Sequence, residues 1–177
     1  CDHSPFDERT FFSQFDEMRT LMTKELLNAL MEGPPTEIEP LFIVGNPRSG
    51  TSLLEQIVGM HAEVENGGEM SSGSLIQADV TSLTDSFHAW PMNLIDLKES
   101  DARQLSARYC SNCEVFRNNS KIVSNKAVNL RLQLGFLSKI LPSSRAILLQ
   151  RHPLDTVMSC FTTNLLAASL TYTDSLM

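Results

Sequence analysis

Nowhere does this chain keep an apolar run for the ~20 residues that a bilayer-spanning helix needs. Nor does its start carry the charged, apolar and small-residue pattern of a secretory leader. Cationic excess is also absent: 14 Lys and Arg stand against 21 Asp and Glu, a net charge of −7. A general nucleic-acid binder, or a protein of anionic membrane surfaces, needs the opposite balance. If the ligand is an anion, a few placed cations and backbone amides must hold it. Cysteine is sparse and scattered, at Cys1, Cys110, Cys113 and Cys160. That argues against a disulfide framework and makes a reducing compartment such as the cytoplasm the default. Cys110 and Cys113 form a C-x-x-C, a weak metal or redox signal. Ala102, Leu105, Tyr109, Cys113 and Phe116 fall on one helical face, so Cys113 reads as core packing.

Hydrophobic residues make up 42% of the 177 residues and charged ones 20%, ordinary for one globular domain at most. From Phe11 to Met31, Phe15, Met18, Met22, Leu26 and Ala29 step at helical spacing, predicting one amphipathic helix. The stretch EGPPTEIEP (32–40) ends it as a stiff linker. Leu41–Val44 is wholly apolar, as in a strand buried within a parallel sheet. Gly50–Val58 reads as a helix packing through Leu53, Leu54, Ile57 and Val58. Residues 65–70 form a glycine turn carrying Glu69, and 71–99 show no clear element beyond turn signals at Trp90-Pro91. Ser100 is the expected N-cap of a helix running to about Phe116, with Asp101 in its first turn. Lys121–Ser124 reads as a strand. Leu130, Leu134, Leu137 and Leu141 mark a helix that Pro142 stops, Ala146–Leu149 a buried strand, and Pro153 the N1 position of a last helix.

This alternation predicts an α/β domain of three layers, P-loop-like, with a central parallel sheet. Residues 1–40 are expected to supply an amino-terminal helix and linker, and 41–177 the ligand-binding domain. The chain opens on Cys and stops at TYTDSLM, so it is expected to be a piece of a longer protein, incomplete at the carboxyl end. In such a sheet the ligand lies at the carboxyl ends of the strands. Three polar stretches gather there: 45–52, SNK at 124–126, and RHP at 151–153.

The segment FIVGNPRSGTSLLEQIVG (42–59) has almost the spacing of a nucleotide-binding P-loop. Gly45, Gly50 and Ser52 stand in their expected places, but Thr51 occupies the position of the lysine. No Walker-B aspartate follows a strand, so magnesium-assisted NTP hydrolysis loses its usual parts. What remains fits a terminal phosphate group held by backbone amides, the Arg48 guanidinium and the Ser49, Thr51 and Ser52 hydroxyls. A plain tight turn would account for the glycines, though not for Arg-Ser-Gly-Thr-Ser after a buried strand.

VGNPRSGTSLLEQIVGMHAEVENGGE resembles the 5′-phosphosulfate loop of sulfotransferases that use 3′-phosphoadenosine 5′-phosphosulfate (PAPS). The likeness is closest to the bacterial type often joined to tetratricopeptide repeats, which is related to the tyrosylprotein sulfotransferases. It continues in SNKAVNLRLQLGFLSKILPSSRAILLQRHPLDTVMSCF, where Arg151 and Ser159 have the spacing of that family's 3′-phosphate motif. The resemblance implies sulfuryl transfer to an acceptor hydroxyl, with adenosine 3′,5′-bisphosphate as product and no metal. It implies that Arg48, Ser49, Gly50, Thr51 and Ser52 hold the 5′-phosphate, and Arg151 and Ser159 the 3′-phosphate. Lys126 would steady charge near the sulfuryl group, and Glu69 would be the base. His61, at the end of the loop helix, is left as structural. The sequence departs from the family at Asn46, His61-Ala62, Ala127-Val128 and His152, none of them a proposed ligand-binding side chain. The acceptor is open among a protein tyrosine, a carbohydrate and a small molecule. A divergent P-loop NTPase or kinase and a non-catalytic nucleotide-binding module are the alternatives.

Overall fold

Pro40–Val44 form the buried centre of β1 (Glu39–Gly45), a strand covered on both faces. The computed structural model describes residues 7–163; Cys1, and the part of the expected 41–177 unit beyond residue 163, lie outside the described residues. On one edge β1 pairs in parallel with β3 (Ile122–Asn125), Glu39 opposite Ile122. On the other it pairs in parallel with β4 (Arg145–Leu149), Leu41 opposite Arg145. β2 (Val64–Glu65) joins the far side of β3, so the sheet is all parallel in the order β2-β3-β1-β4. The α/β class and central parallel sheet expected from the sequence are present.

Seven α-helices are described: α1 (Glu8–Leu21), α2 (Lys24–Ala29), α3 (Thr51–Val58), α4 (Ser72–Thr84), α5 (Glu99–Glu114), α6 (Leu130–Ile140) and α7 (Pro153–Phe161). The chain leaves β1 through α3 toward β2, and leaves β3 through α6 in the opposite direction to reach β4. Right-handed crossovers therefore put α3 and α6 on opposite faces. The larger core lies on the α6 face, where Phe42 and Val44 meet Ile76, Tyr109, Phe136 and Leu137. Met22, Leu26 and Leu27 pack against the same core, and the Gly33 amide donates to the Lys139 carbonyl at 2.9 Å. Among the described residues no helix is long and apolar enough to cross a membrane.

Four local expectations need correction. The single helix from Phe11 to Met31 is two, because Thr23 takes an extended backbone and its hydroxyl caps α2 by accepting from the Leu26 amide. The N-cap position of α5 is Lys98 rather than Ser100, with Asp101 Oδ2 accepting from the Lys98 amide at 3.0 Å. β4, expected to be buried, is largely open, with Leu148 67% exposed. In α3, Leu53 and Ile57 face outward, and the buried residue is Glu55. The segment 71–99, which showed no pattern, supplies α4 and a short 3-10 turn at Met92–Asp96. Cys113 is core as expected, and burial pushes its thiol up to about 12.

Phe42 is fully buried and meets the Tyr109 ring edge-on at a centroid distance of 5.9 Å. Phe42→Ala is expected to lower stability by about 3–5 kcal/mol, read from the urea unfolding midpoint at unchanged slope. A loss below about 1 kcal/mol would mean that the core does not rest on this contact.

Candidate active site

The carboxyl end of β1 turns sharply because Gly45 has no side chain: a Cβ there would stand 2.6 Å from Ser49 Oγ and 3.0 Å from Thr51 Cγ2. The turn also needs left-handed backbone at Gly50 (φ 106°) and, unusually, at Arg48 (φ 65°). For a non-glycine residue that conformation costs roughly 1–2 kcal/mol. Gly50 is the N-cap of α3 and offers no capping side chain, so the first-turn amides keep their hydrogen-bonding capacity and the positive end of the helix dipole. Beside them Ser49, 8% exposed, holds a buried hydroxyl with no partner. An orphan donor at an uncapped helix start fits an anion. A plain turn gives that hydroxyl no role.

The sequence separated Arg48 from the pair Arg151 and Ser159; the structure joins them. Arg48 Nε donates to Ser159 Oγ at 3.1 Å, and Arg151 Nη1 donates to the Arg48 carbonyl at 3.1 Å. Cys160 Sγ donates to the Pro47 carbonyl at 3.6 Å, fastening α7 to the loop. Thr51 and Ser52 open α3, Thr51 half-buried and Ser52 exposed.

Two strands away, the turn after β2 meets the end of β3. Lys126 Nζ lies 2.9 Å from Glu69 Oε1, with the lysine side chain 12% exposed and the glutamate 61%. With its glutamate open to solvent, the pair contributes little by itself, about 0–1 kcal/mol. Backbone fixes it instead: the Lys126 amide donates to the Gly68 carbonyl at 2.9 Å, and Gly68 takes φ 67°. Beneath it lies Glu55, 2% exposed, whose Oε1 accepts from Ser124 Oγ at 2.6 Å and from the Gly68 amide at 3.0 Å. This carboxylate ties the loop helix to β3 and to the turn that carries Glu69. His61 sits past the other end of α3, roughly 12 Å of helix from Gly50. Its Nδ1 accepts from the Glu63 amide at 3.2 Å.

The site thus follows the strand order: Glu69 beyond β2, Lys126 beyond β3, the loop beyond β1, and Arg151 beyond β4. It sits where crossovers leave in opposite directions, the usual place for a ligand in such sheets. A cavity of about 430 Å³ opens between the ends of β1 and β4, lined by Gly45, Ser49, Leu149, Arg151 and Arg131. Among the described residues no group of three or more His, Cys, Asp or Glu could hold a metal ion. Sequence reasoning missed Glu55 and Arg131. Glu55 had a signal: it lies with Thr51, Leu54 and Val58 on one helical stripe, a carboxylate where an apolar residue belongs.

Comparison with known proteins gives two findings. The sequence model of a family described as "Sulfotransferase family" matches residues 40–176. An uncharacterized protein of Aquifex aeolicus (strain VF5) is 26% identical over 152 residues, which cover 83% of this chain and 20% of that protein. The chain therefore spans about a fifth of the length of the curated relative that it matches.

Glu55→Leu removes the acceptor for a buried hydroxyl and a backbone amide, and an unsatisfied buried donor costs about 1–3 kcal/mol. Glu55→Leu is expected to lower the unfolding free energy by about that much per stranded donor, and Glu55→Gln by less, because its amide oxygen still accepts. Equal losses in chemical denaturation would show that the bonds to Ser124 and Gly68 do not carry the effect.

Proposed function

The chain belongs to the sulfotransferase family, and on that premise we propose that it moves a sulfuryl group from PAPS to an acceptor hydroxyl, releasing adenosine 3′,5′-bisphosphate. The observation that carries the reading is the orphan Ser49 hydroxyl at the uncapped start of α3, with Arg48 and Arg151 fastened to the same loop. The 5′-phosphate falls to Arg48, Ser49, Gly50, Thr51 and Ser52. Arg151 and Ser159 take the 3′-phosphate. The unit that binds the nucleotide is taken as residues 41–177.

The chemistry is mostly positioning and charge stabilisation, as in phosphoryl transfer. Glu69 accepts the proton of the acceptor hydroxyl as its oxygen bonds to sulfur and the bond from sulfur to the phosphate oxygen breaks. Arg48, Lys126 and the loop amides offset the charge that gathers on the departing phosphate. The exposed position of Glu69 leaves it reachable by an acceptor, while buried Glu55 holds its turn in place. The likeness to the tetratricopeptide-linked bacterial type and to tyrosylprotein sulfotransferases leaves three acceptor classes: tyrosine, carbohydrate and small molecule. Free Cys110, Cys113 and Cys160 suit a reducing compartment, and the cytoplasm is our assignment.

Adenosine 3′,5′-bisphosphate at 100 times its dissociation constant is expected to add about 2.7 kcal/mol of stability, seen as a raised Tm. ATP with magnesium should add much less. An ATP shift as large would favour a divergent NTPase, and binding without turnover of PAPS across a panel of acceptors would favour a non-catalytic module.

Glu69→Gln should leave bisphosphate affinity nearly intact while lowering turnover by about 10²–10⁴, the range for loss of a general base. Calorimetry and rates on the same preparations check this, with His61→Ala as comparison. Turnover lost in His61→Ala and kept in Glu69→Gln would transfer the role to the histidine.

A further inference from the structure

Two buried donors without partners belong to residues that line the same cavity. One is Ser49 Oγ, from the loop; the other is Arg131 Nε, from the first turn of α6. Arg131 forms no ion pair among the described residues. A cation in the first turn of a helix opposes the helix dipole. Its guanidinium carbon lies 5.0 Å from the centre of the Phe15 ring of α1. Contact with an aromatic face uses the flat side of the guanidinium and leaves its in-plane N–H groups available.

We infer that Arg131 is a further anion-binding residue of this site, reaching from the α6 face of the sheet into the cavity that it shares with Ser49, assigned to the 5′-phosphate, and Arg151, assigned to the 3′-phosphate. The inference rests on the sulfotransferase reading only for the identity of the nucleotide. Its own basis is geometric. A cavity of about 430 Å³ is lined by Ser49, Arg131 and Arg151, the first two each carrying a buried donor without a partner, and an acceptor-rich anion suits such a set of donors. Arg131 then grips the ligand from one face of the sheet while the α3 amides hold it from the carboxyl edge. It also gives α1 a task, since Phe15 holds the guanidinium in place.

The test is calorimetric titration of wild type, Arg131→Met and Arg131→Lys with adenosine 3′,5′-bisphosphate and, separately, with inorganic pyrophosphate. Ligand-free Tm is measured on each. Arg131→Met is expected to weaken anion binding by about 10-fold or more, as loss of a charged hydrogen bond does, with Arg131→Lys between. Ligand-free Tm should stay level or rise, because an unsatisfied buried donor has gone. Unchanged affinity with a lowered Tm would overturn the inference and make Arg131 a packing partner of Phe15. Arg131-dependent binding of pyrophosphate without binding of the bisphosphate would support the inference and overturn the nucleotide reading. Failure of wild type to bind either anion would overturn both.

Discussion

The parallel pairing of β1 on both edges is the constraint on which the rest depends. With β3 on one side and β4 on the other, its backbone groups are used within the sheet and both faces must be covered. The crossovers that reach those neighbours run in opposite directions, so α3 and α6 cover opposite faces. Their starts, and the turns after β2 and β4, are thereby delivered to one edge. Glu55 then links two of these pieces without a cation. Its oxygen receives a hydroxyl from β3 and an amide from the Gly68 turn, so α3 cannot shift without moving the segment that carries Glu69.

Much of this was legible because it depended on local pattern. The apolar run 41–44, the glycines at 45 and 50, and the proline at 153 each express a backbone requirement, and each lies where that requirement is met. The polar stretches at 45–52, 124–126 and 151–153 could be gathered because parallel topology brings strand ends together. What stayed hidden depended on tertiary placement. Helical spacing continues through Thr23, so only its hydroxyl cap reveals that α1 and α2 are separate. β4 is as apolar as a central strand but has a single neighbour among the described residues. Arg48 could not be joined to Ser159 from sequence, since 111 positions separate them. Arg131 gave no signal because one arginine on an amphipathic helix looks like any solvated cation.

Charge is arranged along the strands as well as across them. At the amino end of β1, Glu39 pairs with Lys121 and Arg145, and the hydrogen bond from Lys121 holds its carboxyl below the usual range. At the carboxyl end stand Arg48, Lys126, Arg131 and Arg151, with Glu69 and Asp155 as the acids paired to them. A chain of net charge −7 thus keeps a local cationic edge where an anion would lie. Focusing of field lines by a cleft makes that local arrangement, more than overall charge, decide which ligands approach.

Four strand ends in a fixed order also make a ruler. Neighbouring strands stand about 4.8 Å apart, so the turn after β2 and the turn after β4 are separated by roughly 14 Å, three strand widths. Sheet hydrogen bonds set that length, and no side-chain rotation can shorten it much. A ligand is therefore measured before it is recognised chemically. One that fills the loop beyond β1 has one strand width to cross to reach Arg151 and two to reach Glu69, and a molecule of the wrong span can satisfy one end only.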